Sequence, residues 1–391
     1  MNKAILNTGI QSFIKNNLNT DTLSVLLKKP LFDQVSNHEL VQQIESAKKA
    51  KDKLPTWFNT PRIYFPKKLH IAQTSSELTA AYKSSLIVAK VIADLSGGLG
   101  VDTYYFAKHA IHIDHFELHK ELAEIATHNF KVLHATNIDT YNEDGVAYVL
   151  SHSKSYDMIY IDPDRRDQHK KRVFLLSDCS PDVPKHLESL FKHTQQLFIK
   201  TSPLLDISQG MKELSNVKQI IALGVKNELK ELLWILDKNY TGIPILKAVN
   251  LATEQQEYHC PLDREESAIA SIGPIEDYLY EPNVALLKSG MFKSIAQDYQ
   301  LHKLHPNTHL YTSNELKEFP GRRFKVLREM HYNKKNLKSL ENTKANISCR
   351  NFKSSVALIR KKHRIKDGGA HYLFFTTNSK NEAVVVQTEK I

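Results

Sequence analysis

The chain has 391 residues and a formal net charge of +10, and 41% of its residues are apolar. This length exceeds one domain of ordinary size and predicts two or three, each able to bury a core. No apolar run approaches the roughly 18 residues that span a bilayer. Three cysteines without a C-x-x-C spacing indicate neither a disulfide framework nor a structural zinc site. We therefore expect a cytoplasmic protein with reduced thiols.

The first 66 residues predict a helical cap. Helical spacing covers three segments: Gln11–Leu18, Leu23–Leu27 and His38–Ala50. Three prolines, at positions 55, 61 and 66, are expected to interrupt the pattern afterwards. Further along, Ser75 and Ser76 stand just before Glu77, which is the pattern of a helix N-terminus, and an ordinary N-cap is enough to explain it.

The segment from residue 91 to residue 103 combines an apolar strand, an acid, a glycine-rich turn and the start of a helix. The turn contains Ser96 and three glycines: Gly97, Gly98 and Gly100. Glycines let backbone N–H groups approach a ligand closely, and Asp102 is expected to cap the helix. The dinucleotide fingerprint G-x-G-x-x-G fails, because Thr103 takes the third glycine position. The order D-x-x-x-G-x-G, beginning at Asp94, resembles motif I of class I S-adenosylmethionine (SAM) methyltransferases. A tight connection in any α/β sheet is the alternative.

A second predicted strand, Ile111–Glu117, ends in an acid 23 residues after Asp94, which is the length of one βαβ step. A carboxylate at the tip of this strand can accept hydrogen bonds from both ribose hydroxyls of a nucleoside, so Glu117 is our candidate. A helix is predicted from residue 120 to residue 130. Histidines crowd around the strand, but a metal site is the weaker interpretation, because strand geometry sends His112 and His115 to opposite faces.

Two more acids follow predicted strands. Asp144 lies in Asn142–Gly145, at the end of a third strand. The resemblance assigns an acid here to the adenine amino group of SAM, and a plain turn would have the same composition. Asp162 follows a buried-strand pattern that begins at Tyr156, and Pro163 comes next. Ligands of open α/β sheets lie outside the carboxyl ends of the strands, so we expect Asp162 to face the same crevice as the other acids.

The residues around Asp162 depart from the pattern that the resemblance implies. Amine-modifying SAM methyltransferases carry Asp/Asn-Pro-Pro-aromatic here, and the carboxylate or amide accepts a hydrogen bond from the target amine. In this chain Asp164 replaces the second proline and Arg165 the aromatic residue, which puts base stacking in doubt. Arg165 and Arg166 are expected to bind phosphate, with solvated turn residues as the alternative. Pro163 and Asp162 are the predicted catalytic pair.

The resemblance also assigns cofactor contacts before the glycine turn and implies an order of strands. Gln73 and Ser75 match the placement of motif X, which contacts the methionine end of SAM. Strands are further predicted at three places: Gln196–Lys200, Val217–Val225 and Ile243–Leu251. Seven strands fit the methyltransferase sheet, for which the resemblance implies the order 3-2-1-4-5-7-6 with strand seven antiparallel.

The positive charge is concentrated near the C-terminal end of the sequence. Between residues 320 and 366 there are 15 lysines and arginines against two acids, a net charge of +13, so the rest of the chain carries −3. Basic and apolar residues alternate in helix-like and strand-like patterns, which predicts a folded phosphate-binding domain. A solvated basic surface is the alternative. The predicted RNA contacts here are Arg322, Arg323, Lys325, Arg350, Arg360, Lys361, Lys362 and Arg364.

Three further elements, Tyr280–Asn283, Ala345–Phe352 and Ile365–Phe375, together with the core motifs, resemble a bacterial methyltransferase family with a C-terminal THUMP-like domain. The resemblance implies an α/β fold with a seven-stranded Rossmann-like core, an N-terminal helical segment and a C-terminal α+β THUMP-like domain. Its implied domains are a helical cap (1–66), a SAM-dependent core (67–262), a small ferredoxin-like module (263–316) and a basic THUMP-like domain (317–391).

The resemblance implies a SAM-dependent methyltransferase acting on a nucleobase of structured RNA, either tRNA or rRNA. Methyl transfer from SAM needs little acid–base help, so catalysis should consist mainly of positioning the acceptor. Two alternatives remain open: an RNA-binding protein with a non-catalytic core, and a methyltransferase of small molecules.

Overall fold

The computed structural model describes residues 1–165 and 175–391, and its contacts divide the chain into two compact units. The first unit comprises Met1–Val217 and Leu233–Thr241, and the second comprises Lys218–Leu232 and Gly242–Ile391. Within the described ranges, no helix has both the length and the apolar character needed to cross a membrane.

The first unit begins with a group of short helices that pack on the α/β core. They are η1 (Lys3–Leu6), α1 (Thr8–Asn16), α2 (Thr22–Leu26), α3 (Asn37–Lys53), α4 (Pro55–Asn59), α5 (Lys68–Gln73) and α6 (Glu77–Ser85). A capping box between Ser36 and Glu39 starts α3. Helix α3 ends at Lys53, so the helical pattern breaks just before Pro55, as expected. Pro55 then begins the separate helix α4, because the first helical position has no use for the N–H that proline lacks.

Strands and helices alternate through the rest of the first unit. They are β1 (Val91–Asp94), α7 (Val101–Phe106), β2 (His112–Phe116), α8 (Lys120–Val132), β3 (Ile138–Tyr141), α9 (Gly145–Ser151), β4 (Tyr156–Ile161), β5 (Asp164–Arg165), β6 (Cys179–Ser180), α10 (Val183–Leu190), β7 (Thr194–Thr201) and α11 (Ile207–Glu213). The main sheet has the parallel order β3-β2-β1-β4-β7. Apolar residues of the N-terminal helices, among them the fully buried Trp57, share one core with residues of α7 and α8.

A hairpin whose residues are divided between the two units contains a strand that the sequence analysis did not predict. Strand β8 (Val217–Val225) is joined to β9 (Glu228–Asp237) by Lys226 and Asn227, which both have positive φ, the geometry of a tight two-residue turn. Strand β9 lies between β8 and β7 in the order of the sheet. The strands therefore follow the order 3-2-1-4-5-7-6, with β9 as the seventh strand.

This hairpin corrects one assignment from the sequence. The segment expected to be strand seven forms β10 (Ile245–Leu251), which pairs in parallel with β8 and is followed by the antiparallel β11 (Tyr258–Pro261). The seventh strand is β9 because a two-residue turn returns the chain directly beside β8.

The remainder of the second unit is a separate curved sheet. Its elements are α12 (Arg264–Ser267), β12 (Tyr278–Pro282), α13 (Val284–Ser289), α14 (Phe292–Asp298), β13 (His302–His305), β14 (Thr308–Ser313), β15 (Gly321–His331), α15 (Lys334–Leu337), η2 (Lys338–Leu340), β16 (Asn346–Arg350), α16 (Val356–His363), β17 (His371–Thr377) and β18 (Ala383–Lys390). The order is β13-β14-β12-β15-β18-β17-β16. Asn351, just after the edge strand β16, donates to the hydroxyl of Thr308 on β14 at 3.2 Å, so the sheet curls enough to bring these two distant strands together.

Candidate functional site

The glycine turn after β1 is held against β2. The Gly97 N–H donates to the Phe116 carbonyl at 2.8 Å, and a Cβ on Gly97 would lie only 2.1 Å from the ring of the buried His115. Gly98 and Gly100 both have positive φ. A Cβ on Gly98 would meet no atom of residues 1–165 and 175–391 closer than 3.9 Å, so within these residues the turn is open to a ligand at Gly98.

Asp102 does not cap the helix, and our expectation for it is wrong. Gly100, in the left-handed conformation, is the N-cap of α7 and makes no side-chain cap. Asp102 lies in the first turn, and its carboxylate is drawn inward by the fully buried Lys83, whose Nζ is 2.9 Å from Oδ1. Ser75 and Tyr160 donate hydroxyl hydrogen bonds to its Oδ2, at 2.7 and 2.8 Å.

Asp94 is a buried acid that organises the turn. Its Oδ1 accepts from the Ser96 N–H at 3.1 Å, and its Oδ2 accepts from the Thr103 hydroxyl at 2.6 Å. Burial raises the pKa of Asp94 to about 7. The Thr103 oxygen also lies 2.8 Å from His115 Nδ1. Burial lowers the pKa of His115 to about 3, so the ring is neutral, and its Nδ1 donates to the threonine, which itself donates to Asp94. Thr103 thus links Asp94 to His115 through its hydroxyl, at the position where the dinucleotide fingerprint requires glycine.

Glu117 reaches from the end of β2 to the glycine turn. Its Oε2 accepts from the Gly98 N–H at 2.8 Å, and its Oε1 accepts from the His119 N–H at 2.6 Å. The side chain is half-buried. This places a carboxylate beside the open residue of the turn, where a ligand with two hydroxyl groups could bind.

The structure places Asp144 and Gln73 differently from the other predicted cofactor contacts. Asp144 is exposed and its Oδ1 accepts from the Ala147 N–H at 3.0 Å as the N-cap of α9. Gln73 is the exposed last residue of α5. Ser75 is buried, and its hydroxyl also accepts from Lys83 at 2.7 Å. An N-cap explains the geometry of Asp144, whereas the cofactor roles of all three residues remain predictions.

The predicted acceptor loop touches the glycine turn directly. The Asp162 N–H donates to the Ser96 hydroxyl at 2.6 Å, and Pro163, the next residue, is buried. The Asp162 carboxylate forms an ion pair through Oδ2 with Lys200, the next-to-last residue of β7. Of the neighbouring arginines, Arg165 belongs to β5, and Arg166 lies outside the described residues.

Lys83, Tyr160 and Lys200 are site residues that the sequence analysis missed. All three lie within elements: Lys83 in α6, Tyr160 in β4 and Lys200 in β7. Each occurs in an otherwise ordinary helix or strand pattern, and only the fold shows that their polar ends meet Asp102 and Asp162. The one available signal was a lysine at the carboxyl end of an apolar strand, which is where ligands of open α/β sheets bind.

A group of possible metal ligands occurs elsewhere in the first unit, but its chemistry does not favour a cation. Among the described residues, His112, Asp114 and Asp139 bring ligand atoms within 4.8 Å of one another. The buried Asp114 is already bound by Lys154, and it accepts from the Tyr156 hydroxyl at 2.6 Å. A lysine at this carboxylate supplies the positive charge that a metal would bring.

In the second unit, four of the predicted RNA-binding arginines have acidic partners. Arg322 and Arg350 both bind the buried carboxylate of Glu281 on β12, the latter at 2.6 Å. Arg322 lies on β15, the strand next to β12, whereas the ion pair of Arg350 connects β12 to the edge strand β16 of the curved sheet. Arg323 pairs with Glu318, and Arg360 pairs with Asp367.

Three other predicted contacts are exposed and have no acidic partner among the described residues: Lys325, Lys361 and Arg364. Lys362 is also exposed, and its ammonium lies 5.2 Å from the centre of the Tyr332 ring. The structure thus divides the basic residues into a paired group with contacts inside the fold and an exposed group available to a polyanion.

Comparison with known proteins identifies the family. The chain is 30% identical to a candidate methyltransferase from Porphyromonas gingivalis W83, whose crystal structure superposes with a TM-score of 0.88 over 100% of this chain and 99% of that one. The chain belongs to that protein's family. Family models match a ferredoxin-like domain at residues 278–320 and a THUMP-like domain at residues 321–390. No curated protein matches the chain.

Other solved structures match a smaller part of the chain. An rRNA methylase from Streptococcus thermophilus is 12% identical over 41% of this chain and 94% of its own, with a TM-score of 0.31. A candidate methyltransferase from Streptococcus mutans, solved in complex with S-adenosylhomocysteine, is 11% identical over 41% of this chain and 96% of its own, also with a TM-score of 0.31.

Proposed function

We propose that the protein is a SAM-dependent methyltransferase that modifies a nucleobase of structured RNA, either tRNA or rRNA. The observation that carries the proposal is the 2.6 Å hydrogen bond from the Asp162 N–H to the Ser96 hydroxyl. It joins a turn suited to a nucleoside cofactor to a loop suited to an acceptor amine, and methyl transfer requires these two sites to adjoin. Membership of a family that includes a candidate methyltransferase supports the same assignment.

The residues of the turn fit a SAM molecule. Glu117 presents a carboxylate that can accept from both ribose hydroxyls, and Gly98 leaves open space in front of its backbone. Asp94, Ser96, Gly97 and Gly100 would shape the turn. Gln73, Ser75 and Asp144 complete the proposed contacts at the methionine and adenine ends. When bound, SAM supplies an activated methyl group on a sulfonium.

The acceptor would be held by the chain's own residues at the end of β4. Asp162 can accept a hydrogen bond from the target amine, and Pro163 restricts the backbone beside it. Arg165 and Arg166 are proposed phosphate contacts. No proton has to be removed by a dedicated base before the transfer, so the contribution of Asp162 is orientation and charge.

The RNA would bind through exposed cations of the second unit. Lys325, Lys361, Lys362 and Arg364 are exposed on a segment with a net charge of +13, and phosphates are the groups that such a field attracts. The four paired arginines are weaker candidates because their charges already have partners. We propose the domain bounds 1–66, 67–262, 263–316 and 317–391 for the cap, core, ferredoxin-like module and THUMP-like domain.

The test is a comparison of binding and transfer in one variant. Asp162→Ala should bind SAM within a few-fold of the wild type, measured by calorimetry. Methyl transfer from labelled SAM to RNA of a strain that lacks the gene should fall by 100-fold or more, which corresponds to about 2.7 kcal/mol of positioning and charge stabilisation. Undiminished transfer by this variant would make Asp162 a turn residue.

A second candidate function is RNA binding by a core that no longer catalyses. The observation in its favour is the Asp164–Arg165 sequence, which replaces the proline and aromatic residue expected beside the acceptor. Calorimetry separates the two functions, because a wild-type protein that binds RNA and shows no heat with SAM would support the second candidate. A methyltransferase of small molecules would bind SAM and leave RNA affinity weak and independent of salt.

A further inference from the structure

Lys200 is a buried cation whose environment is acidic. Its side chain is 10% exposed, and its Nζ forms the ion pair with Oδ2 of Asp162. The carboxylates of Asp94 and Asp102 interact electrostatically with this ion pair. Burial alone would raise the pKa of Asp102, but the charges of Lys83 and Lys200 outweigh it and hold the pKa below its usual value.

The pKa of Asp94 also reflects the closeness of these carboxylates. After burial and its hydrogen bonds, the charges of Asp102 and Asp162 contribute to raising the pKa of Asp94. The described charged groups around Asp162 are therefore Lys200 on β7, Asp94 on β1, and Asp102 on α7 with its partner Lys83 on α6. Lys200 is the cation in direct contact with the Asp162 carboxylate.

Asp162 is held both at its backbone and at one oxygen of its carboxylate. The Ser96 hydroxyl holds the backbone N–H of the residue, and Lys200 holds Oδ2. Its Oδ1 accepts no hydrogen bond from the residues that the structure describes. An ionised carboxylate can only accept hydrogen bonds, so one free oxygen with a fixed direction suits an acceptor group that carries N–H hydrogens.

We propose that Lys200 is a positioning residue that pairs with Oδ2 of Asp162 and directs its Oδ1 at the amine to be methylated. This inference rests on the proposed function and adds the residue that sets the charge and direction of its acceptor contact. Without Lys200, no cation of the described residues would be paired with the Asp162 carboxylate, which Asp94 and Asp102 would still approach. Protonation would then turn Oδ1 or Oδ2 into a donor that no longer matches an amine.

The experiment compares the pH dependence of methyl transfer in the full-length wild type, Lys200→Met and Lys200→Arg. We expect the acidic limb of kcat for Lys200→Met to move to higher pH by at least one unit, so that activity at low pH falls by about tenfold or more and partly recovers at high pH. SAM affinity should stay within about threefold, because Lys200 acts on the acceptor side. Lys200→Arg should restore the limb, since it keeps the charge.

Lys154→Met is the matched control. It removes a lysine from a buried aspartate of the same sheet, at the Asp114 ion pair away from the turn. It should lower stability without moving the acidic limb. An unmoved limb in Lys200→Met, with transfer lowered equally at all pH values, would overturn the proposal and leave Lys200 as a structural ion pair.

A second readout does not depend on activity. In urea unfolding, the loss of midpoint caused by Lys200→Met should be larger at pH 8 than at pH 5, because protonation relieves the unpaired Asp162, and Asp162→Asn should abolish this pH dependence. A wild type that binds no SAM would refute the proposed function, whereas an equal loss at both pH values would refute the role of Lys200. The two failures are therefore distinguishable.

Discussion

Alanine substitutions at Gly97 and Gly98 should separate the structural role of the glycine turn from its binding role. The two residues are neighbours, and each substitution adds one methyl group. At Gly97 the new Cβ would lie 2.1 to 2.5 Å from three ring atoms of His115, more than an ångström closer than ordinary contact. At Gly98 the nearest atom of the described residues would be the Ser96 carbonyl oxygen at 3.9 Å, and the strain comes from the φ of +57°.

The expected losses of stability follow from these contacts. His115 is fully buried and hydrogen-bonded to Thr103, so its ring has little room to move. Overpacking at such a site costs about 1 to 3 kcal/mol, and we expect the upper end for Gly97→Ala. A left-handed alanine costs about 1 to 2 kcal/mol, offset by about 0.4 to 1 kcal/mol from the stiffer unfolded chain, so Gly98→Ala should lose about 1 kcal/mol.

The effects on SAM binding should be in the opposite order. The methyl group of Gly98→Ala enters the open space in front of the turn, so SAM affinity should fall by about tenfold or more, or about 1.4 kcal/mol. Gly97→Ala places its methyl group on the far side, toward His115, and the folded fraction should bind SAM more nearly like the wild type. Urea unfolding and calorimetry measure the two quantities. Wild-type SAM affinity in Gly98→Ala would refute the proposed position of the cofactor.

Three further predictions concern the cofactor acid, the buried acid and the exposed cations. Glu117→Ala should weaken SAM binding by about 1.5 to 3 kcal/mol in calorimetry, whereas the neighbouring exposed acid in Glu143→Ala serves as a control that should leave it unchanged. The pKa of Asp94 rises on folding to about 7, so its contribution to stability is present at low pH and is lost as the pH rises through 7. Asp94→Asn should therefore gain stability relative to the wild type between pH 5 and pH 8 in urea unfolding, and a constant difference would contradict the raised pKa. Replacing Lys361 and Arg364 together by alanine should flatten the salt dependence of RNA binding, log K against log salt, by about 1.4, or about 0.7 for each phosphate contact; an unchanged slope would remove both residues from the interface.

The sequence predicted the core of the fold because its strands have a strong local signal. The apolar runs of β1, β4 and β8 end in acids, glycines or turns, and the structure confirms these strands. Strand β9 was missed because its first half, from Glu228 to Glu231, is polar at three of four positions and hides the apolar run that follows. Its signal is the pair Lys226–Asn227, which forms the hairpin turn without a glycine.

The site was predictable where a motif is local and unpredictable where it is assembled from distant elements. Glu117 and Gly98 are 19 residues apart, and the spacing of one βαβ step places them together. Asp162 and Lys200 are 38 residues apart, and nothing in the strand pattern of β7 shows that its lysine turns inward. Asp102 was misassigned for the same reason. An acid after a glycine turn is typical of a helix cap, but this carboxylate forms an ion pair with the buried Lys83 on α6.

The basic segment shows why net charge alone overestimates a binding surface. Its charge of +13 includes Arg322 and Arg350, which share the carboxylate of Glu281, a residue that lies outside the segment. The positive charge available at the surface is therefore lower than the +13 of the sequence. The two arginines instead connect strands of the curved sheet. Arginine suits this task because its planar group can bind a carboxylate oxygen and still stack on a ring, as Arg322 does 5.7 Å from the centre of Tyr372. The lysines of the same segment make few such contacts and remain exposed, so the phosphate-binding field should come mainly from them.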